Sequence, residues 1–328
     1  MKLDIVISDS LNILQSTKSV VENSRYVFLN GDKIREVAVA IAQRIKMGLE
    51  NAFVAFGASG DYEKDIQLIF IEDAVNFCFW AEKGQAKWQV EWPVGNTIKG
   101  GWYCLKACFE RALAEGVPIL EADYLCSITE EQVKNFFRGI NGTEIPLIQE
   151  RQNNLREAGR VLKDKFDGQF INVLKEAGND AIKLVKLLYD NFPSFRDEAE
   201  LDGKKVYFLK RAQICANDIS YLEPAKNMKN LDQLTAFADY KLPQILKTWQ
   251  ILEYKDELAK KIDNYTLLSR GSREEIEIRS ATIWAVELIR QELNNEFTAS
   301  KIDNALWLLS QDLGDKVKPY HRTRTNFY

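Results

Sequence analysis

A single histidine, His321, serves a chain of 328 residues. That scarcity argues against a His-based triad in the body of the chain and against a structural zinc site. The five cysteines (Cys78, Cys104, Cys108, Cys126 and Cys215) form an odd set without a CxxC pair, as expected of reduced, mostly buried thiols in an intracellular protein. No basic excess is present, since 44 Lys and Arg stand against 48 Asp and Glu for a net charge of −4. A protein living on nucleic-acid phosphates normally carries a strong positive balance, so no stable nucleic-acid partner is expected. Nowhere do eighteen uncharged apolar residues run together, and the opening MKLDIVISDS has no apolar signal core. A cytoplasmic protein without a membrane partner is the expectation. Proline occurs only seven times, and no Ser/Gly-rich linker marks a domain boundary. No metal-ligand spacing and no dinucleotide fingerprint occurs, so no cofactor is expected.

Helical periodicity is abundant. Ile34, Val37, Ile41 and Ile45 follow Gly31-Asp32 on one face of a capped amphipathic helix. Similar patterns cover Trp102–Ala114, Ile128–Arg138, Ile148–Phe166, Asp180–Tyr189, Leu242–Leu252 and Ile276–Glu292. Ser127 and Glu130 have capping-box spacing. Strand signals are fewer: Ile66–Ile71, Val75–Trp80 and Lys87–Trp92 are short, aromatic and β-branched. A hairpin is expected at Asp202-Gly203, between Ala199–Leu201 and Lys205–Leu209. With no regular βαβ alternation, the fold class is mainly α with small antiparallel β elements.

Four segments can carry chemistry. In the first, Pro243 suits the first turn of a helix, and Asp239 lies just ahead of it, flanked by Phe237 and Tyr240. A carboxylate there can stay ionised beside an aromatic wall, or serve as a plain cap, which spacing alone favours. In the second, Lys210 and Arg211 stand at a strand-to-helix junction, where they can receive a phosphate or form a solvated turn; the residues alone favour the turn. The third is aromatic, with Phe77, Phe79 and Trp80 followed by Trp88, Trp92 and Trp102, and its polar members Asp73 and Asn76 are hard to explain as core. The fourth runs from Trp307 and Asp312 to His321, Arg322 and Arg324 near Tyr328, and its aromatics suggest docking onto the body. Gly57–Gly60 lacks the strand–helix context of a phosphate loop.

Taken in order, these segments resemble the queuosine salvage protein family, the queuosine 5′-phosphate N-glycosylase/hydrolases. The resemblance covers SVVENSRYVF (19–28), IEDAVNFCFW (71–80), GGWYCLKACFERALAEGVPI (100–119) and PLIQER (146–151). It continues through NFPSFRD (191–197), FLKRAQI (208–214), FADYKLPQIL (237–246), GSREEIEIRSATIWAVELIR (271–290) and HRTR (321–324). The resemblance implies hydrolysis of the N-glycosidic bond of queuosine 5′-monophosphate, with release of queuine, a 7-deazaguanine base, for reuse in tRNA. It also implies a fold similar to helix–hairpin–helix DNA glycosylases. One compact domain is expected, with an α/β part over about 1–145 packed against a helical part over about 146–328.

By the same resemblance the catalytic carboxylate falls on Asp239 and the active-site cation on Lys210. Lys210 then either binds the 5′-phosphate or keeps Asp239 ionised. Phe237 and Tyr240 are expected against the nucleotide. Asp73, Asn76, Trp307 and Asp312 are candidates for reading the base, and Arg279, Arg322 and Arg324 for the phosphate. The chain departs from some relatives at Ala52–Ser59, where they carry a histidine, and at Leu308-Leu309, where they carry polar residues. Two rival readings keep other partners: a glycosylase acting on a base in nucleic acid, which needs a basic groove, and a non-catalytic protein that sequesters queuine or its nucleotides.

Overall fold

The computed structural model describes residues 3, 8–48, 59–223, 225–312 and 317–328. Helices dominate them. The chain opens with α1 (Ile13–Glu22), β1 (Val27–Leu29), α2 (Gly31–Lys46) and α3 (Tyr62–Ala74). A small hairpin, β2 (Val90–Glu91) and β3 (Thr97–Ile98), precedes α4 (Gly101–Ala114), α5 (Ala122–Ser127) and α6 (Glu130–Phe136). Then come α7 (Ile148–Lys165), α8 (Phe170–Ala177), α9 (Ala181–Asn191), the hairpin β4 (Glu198–Leu201) and β5 (Lys204–Tyr207), and α10 (Lys210–Ile219). The last third holds α11 (Lys241–Thr248), β6 (Leu252–Tyr254), α12 (Asp256–Asp263), α13 (Arg273–Glu292) and α14 (Ala299–Asp312). Among the described residues the strands form three two-stranded antiparallel pairs, β1–β6, β2–β3 and β4–β5. No helix of the described residues is long and apolar enough to cross a membrane.

Local chemistry accounts for most helix starts. Asn30 accepts the Lys33 N–H at the head of α2, where Ile34, Ile41 and Ile45 are buried. The capping box at α6 pairs Thr129 with Gln132, two residues on from the expected Ser127 and Glu130. The expected hairpin forms at Asp202-Gly203, whose φ values of 51° and 74° meet the demand of a two-residue turn for two left-handed residues.

Helix α13 is the axis of the molecule. Every residue from Glu275 to Arg290 is buried, with α1, α2, α11, α14 and β1 packed around it. A helix buried all round must satisfy its polar side chains internally. Glu277 does so by accepting from Ser24 Oγ (2.7 Å), the Arg25 N–H (3.0 Å) and the Tyr26 N–H (2.7 Å). Those contacts seat β1 beside β6.

Two expected strands fail and a third is shortened. Ile66–Ile71 lies inside α3, which Asp61 caps through the Lys64 N–H. Ile66, Ile69, Phe70 and Ile71 are all buried, so the apolar residues fall on every side and the helical period is erased from the sequence. Val75–Trp80 pairs with no strand; it is a connection in which Cys78 adopts φ 41°. Of Lys87–Trp92 only Val90–Glu91 is strand. The helix expected over Leu242–Leu252 stops at Thr248, and Leu252 opens β6.

What shapes the 75–80 connection is a pair of buried guanidinium groups. The carbonyls that close α3 have no helical donor. Arg211 donates to the carbonyls of Asp73 (3.0 Å) and Ala74 (2.6 Å), and Asn154 adds a bond to Ala74 (2.8 Å). Arg151 donates to the carbonyls of Val75, Phe77 (2.5 Å) and Cys78 (3.1 Å), with its plane 4.3 Å from the Phe77 ring centre. Burial draws the Arg151 pKa down to about 9, so the site keeps its charge at neutral pH. Arg151→Met strands these acceptors without water. Each orphaned acceptor costs about 1–3 kcal/mol, so the unfolding free energy should fall by about 3 kcal/mol or more, read as a lower urea midpoint. A wild-type midpoint refutes this.

Candidate active site

Two helix faces and one helix start converge on a pocket. On α10, Lys210, Ile214 and Asp218 recur every fourth residue, and all three line it. On α14, Asp303, Trp307 and Gln311 repeat the same spacing, and they line it too. Between them, Phe237 to Leu242 lead into α11. The opposite wall is Asn76–Phe79 together with Gly100–Tyr103. There the start of α4 presses on the connection after α3: a Cβ on Gly101 would lie 2.1 Å from the Phe79 Cβ, so only glycine fits. The space between these walls, including the open solvent at its mouth, is about 910 Å³.

Asp239 is held by its backbone surroundings. Its Oδ1 accepts the N–H groups of Lys241 (2.7 Å) and Leu242 (2.9 Å) at the head of α11, and Pro243 follows in the first turn as expected. Asp303 Oδ2 accepts the Phe237 N–H (2.7 Å), fixing the segment from the other side. Asp197 accepts the Lys210 N–H (3.1 Å) and receives a bidentate bond from Arg279 (2.9 and 2.6 Å). Arg279 Nε continues to the Ala238 carbonyl (3.1 Å). One ion pair therefore ties the backbone before Asp239 to the residue carrying the Lys210 ammonium.

Lys210 and Arg211 are 6% and 1% exposed, which overturns the solvated-turn reading. The Lys210 Nζ lies 3.5 Å from the Asn76 carbonyl and feels Asp239, Asp73 and Asp303. Burial pulls its pKa down, and those carboxylates pull it back up. Burial raises Asp239, opposed chiefly by Lys210 and by the two backbone donors. Burial holds Asp303 well above the ordinary carboxylate range, and pushes Asp218 up to about 7, with Glu72 repelling it and Lys106 and Lys210 opposing. The floor of the pocket is thus one ammonium among several carboxyl groups whose neutral forms are favoured by burial.

Six of the expected site residues meet at this pocket: Asp239, Lys210, Phe237, Tyr240, Asn76 and Trp307. Asp73 does not line it. It is buried behind the wall, bonded to Asn76 Nδ2 (3.3 Å), and its Oδ2 has no partner among the described residues. Arg279 does not reach the pocket either, because its donors go to Asp197 and Ala238. Arg322 lies against Tyr265 and Trp80, and Arg324 pairs with Glu82; neither is at the wall. His321 is buried 3.4 Å from the Tyr328 hydroxyl. The Asp312 side chain and residues 52–58 of the departing segment, with Gly57, lie outside the described residues. Of the other departure, Leu309 is buried.

Asp218, Asp303, Lys241 and Tyr328 line the pocket without having been singled out. The fourfold spacing on α10 and α14 was the available signal for the first two. For Tyr328 the aromatic tail signalled docking onto the body, but not where, because the Cys78 N–H that donates to its carbonyl (2.9 Å) is remote in sequence. Among the described residues no cluster of three or more His, Cys, Asp or Glu is arranged to hold a metal ion.

A carboxyl that binds its proton more tightly folded than unfolded stabilises the fold at low pH. That contribution is lost as pH rises from the ordinary 3.8 through about 7 for Asp218. Urea midpoints at about pH 5 and pH 8 should therefore differ less in Asp218→Asn than in wild type, the variant being the more stable at the higher pH. An unchanged difference refutes the assignment.

The chain matches the model of a family described as queuosine salvage protein over residues 57–328. It is 39% identical over 327 residues to a protein of Sphaerobacter thermophilus named queuosine 5′-phosphate N-glycosylase/hydrolase, covering 98% of each chain. A mouse protein of the same name is 37% identical, covering 96% of this chain and 98% of its own. The Schizosaccharomyces pombe protein so named is 30% identical, covering 89% and 91%. A match of this extent, spanning every segment that builds the pocket, places the chain in the queuosine salvage protein family.

Proposed function

We propose that this chain hydrolyses the N-glycosidic bond of queuosine 5′-phosphate and releases queuine for salvage into tRNA. The observation that carries the reading is Asp239: a buried carboxylate, fixed by two backbone donors, facing an aromatic-walled pocket beside an ammonium.

The C1′–N bond breaks with its electron pair leaving on the base, so the sugar becomes cationic and the base anionic. Asp239, through the Oδ2 that its backbone donors leave alone, stabilises the sugar cation. It then takes a proton from the water whose oxygen adds to C1′. Queuine has carbon where an ordinary purine has N7, so protonation at that atom is closed. Asp218 and Asp303, raised by burial, are the carboxyl groups that meet the leaving base with a proton or a hydrogen bond. Trp307, 6.0 Å from Trp102 at ring centres, together with Phe237 and Tyr240, supplies apolar surface for the nucleotide. Asn76 offers a polar edge.

Between its two expected roles, Lys210 is supported in the second, keeping Asp239 ionised, because Asp239 is the carboxylate that acts on it most strongly. Asp73 and Arg279 are positioning residues in this reading. The helical content supports the likeness to helix–hairpin–helix DNA glycosylases. The reading of one domain, cytoplasmic and acting on a free nucleotide, is supported by the pairing of residues 27–29 with 252–254 and by the net charge of −4.

Asp239→Asn should fold normally and lose on the order of 10²-fold or more in turnover, the usual contribution of such a group. Release of queuine from the 5′-monophosphate at near wild-type rate would sink the assignment. Stoichiometric binding without steady release of ribose 5-phosphate would favour the sequestering protein instead. Lys210→Ala should lower kcat by the same factor on queuosine and on its 5′-monophosphate; a loss confined to the phosphorylated substrate would return Lys210 to the phosphate.

A further inference from the structure

Of the described residues lining the pocket, two are cations, Lys210 and Lys241. Their surroundings differ. Lys210 sits among Asp239, Asp73 and Asp303, with Arg211 beside it. Lys241 is half-buried, and its Nζ is held by a neutral group, Gln244 Oε1 at 2.8 Å, with the Tyr320 ring centre 5.7 Å away. The charged groups acting on it are Asp239, whose Oδ1 its own backbone N–H already binds, and the exposed Lys87, a second cation. Among the described residues neither ammonium makes an ion pair within 4.0 Å, so the two differ in the carboxylates around them: Asp239, Asp73 and Asp303 for Lys210, and Asp239 for Lys241.

We infer that Lys241 binds the 5′-phosphate of the substrate and so sets which way round the nucleotide lies. This rests on the proposed activity and adds the group that selects a phosphorylated substrate. A phosphate dianion placed by Lys210 would lie among Asp239, Asp73 and Asp303; near Lys241 the carboxylate acting on the ammonium is Asp239, whose Oδ1 already accepts two backbone N–H groups. Lys241 stands two residues beyond Asp239, on a backbone that Asp239 itself anchors. A ribose lying over that carboxylate therefore has its 5′-substituent within the sweep of a four-carbon ammonium, a mobile point charge suited to phosphate. The base is then directed towards Asp218, Asp303 and Trp307. Tyr320 and Gln244, which do not line the pocket, hold the ammonium rather than recognise the ligand.

The test compares kcat/KM for queuosine 5′-monophosphate and for queuosine in wild type, Lys241→Gln and Lys241→Arg. A hydrogen bond to a charged group contributes about 1.5–3 kcal/mol, so Lys241→Gln should lower the monophosphate-to-nucleoside ratio by about 10–100-fold, mainly through KM. Lys241→Arg, which keeps the charge, should restore most of the ratio. Ribose 5-phosphate, measured directly by calorimetry, should bind wild type and lose affinity by a similar factor in Lys241→Gln. A ratio within about threefold of wild type, or equal ribose 5-phosphate affinity, overturns the inference. Should wild type release base from neither substrate, the proposed activity fails, and the ribose 5-phosphate comparison still decides Lys241.

Discussion

Asp197 and Arg279 form an ion pair that is almost completely buried, and the pocket is organised around it. Two charges leave water at a cost that their attraction alone rarely recovers, so such pairs persist where their remaining donors and acceptors are also used. Here they are. Asp197 also holds the N–H that starts α10, and Arg279 also holds the carbonyl before Asp239. Stacking of the guanidinium on Phe208 (3.9 Å) and Tyr328 (4.2 Å) fills the space that water would otherwise enter. The geometry of the carboxylate and the ammonium relative to each other is therefore inherited from a rigid, dry unit outside the pocket.

A second consequence of buried arginine is the aromatic wall. Phe77 and Phe79 stand where they do because Arg151 and Arg211 take carbonyls that neither a helix nor a sheet satisfies. The wall is irregular backbone whose carbonyls at Val75, Phe77 and Cys78 are taken by Arg151. That combination lets it follow the outline of a flat ligand more closely than a strand could. Asp218 and Asp303 line the pocket floor with Asp73 buried behind the wall, and burial favours the neutral form of all three, so that end suits a hydrogen-bonding base rather than a charged substituent.

Much of this was legible in the sequence, and the exceptions share a cause. Helices with one dry face, such as residues 34–45, announce themselves by period; α3 does not, because burial on all sides leaves no contrast between faces. Asp239 was legible because capping is local: the donors that hold it lie two and three residues away. Lys210 and Arg211 read as a solvated turn because their partners lie 13 to 138 residues away. Arg279 looked like a phosphate ligand for the same reason, its carboxylate partner being 82 residues distant. The order of segments that resembles a known family carried the long-range information that local spacing lacks. Asp303 and Asp218 show the converse case, in which a regular spacing was present and nothing local said which face would meet a cavity.

The Tyr328 carbonyl accepts the Cys78 N–H, its hydroxyl reaches Glu275 (2.9 Å), and its ring closes one side of the pocket. One residue thus fastens the irregular wall to α13 and lines the chamber at once, so anything that displaces its ring would slacken the wall and open the cavity together.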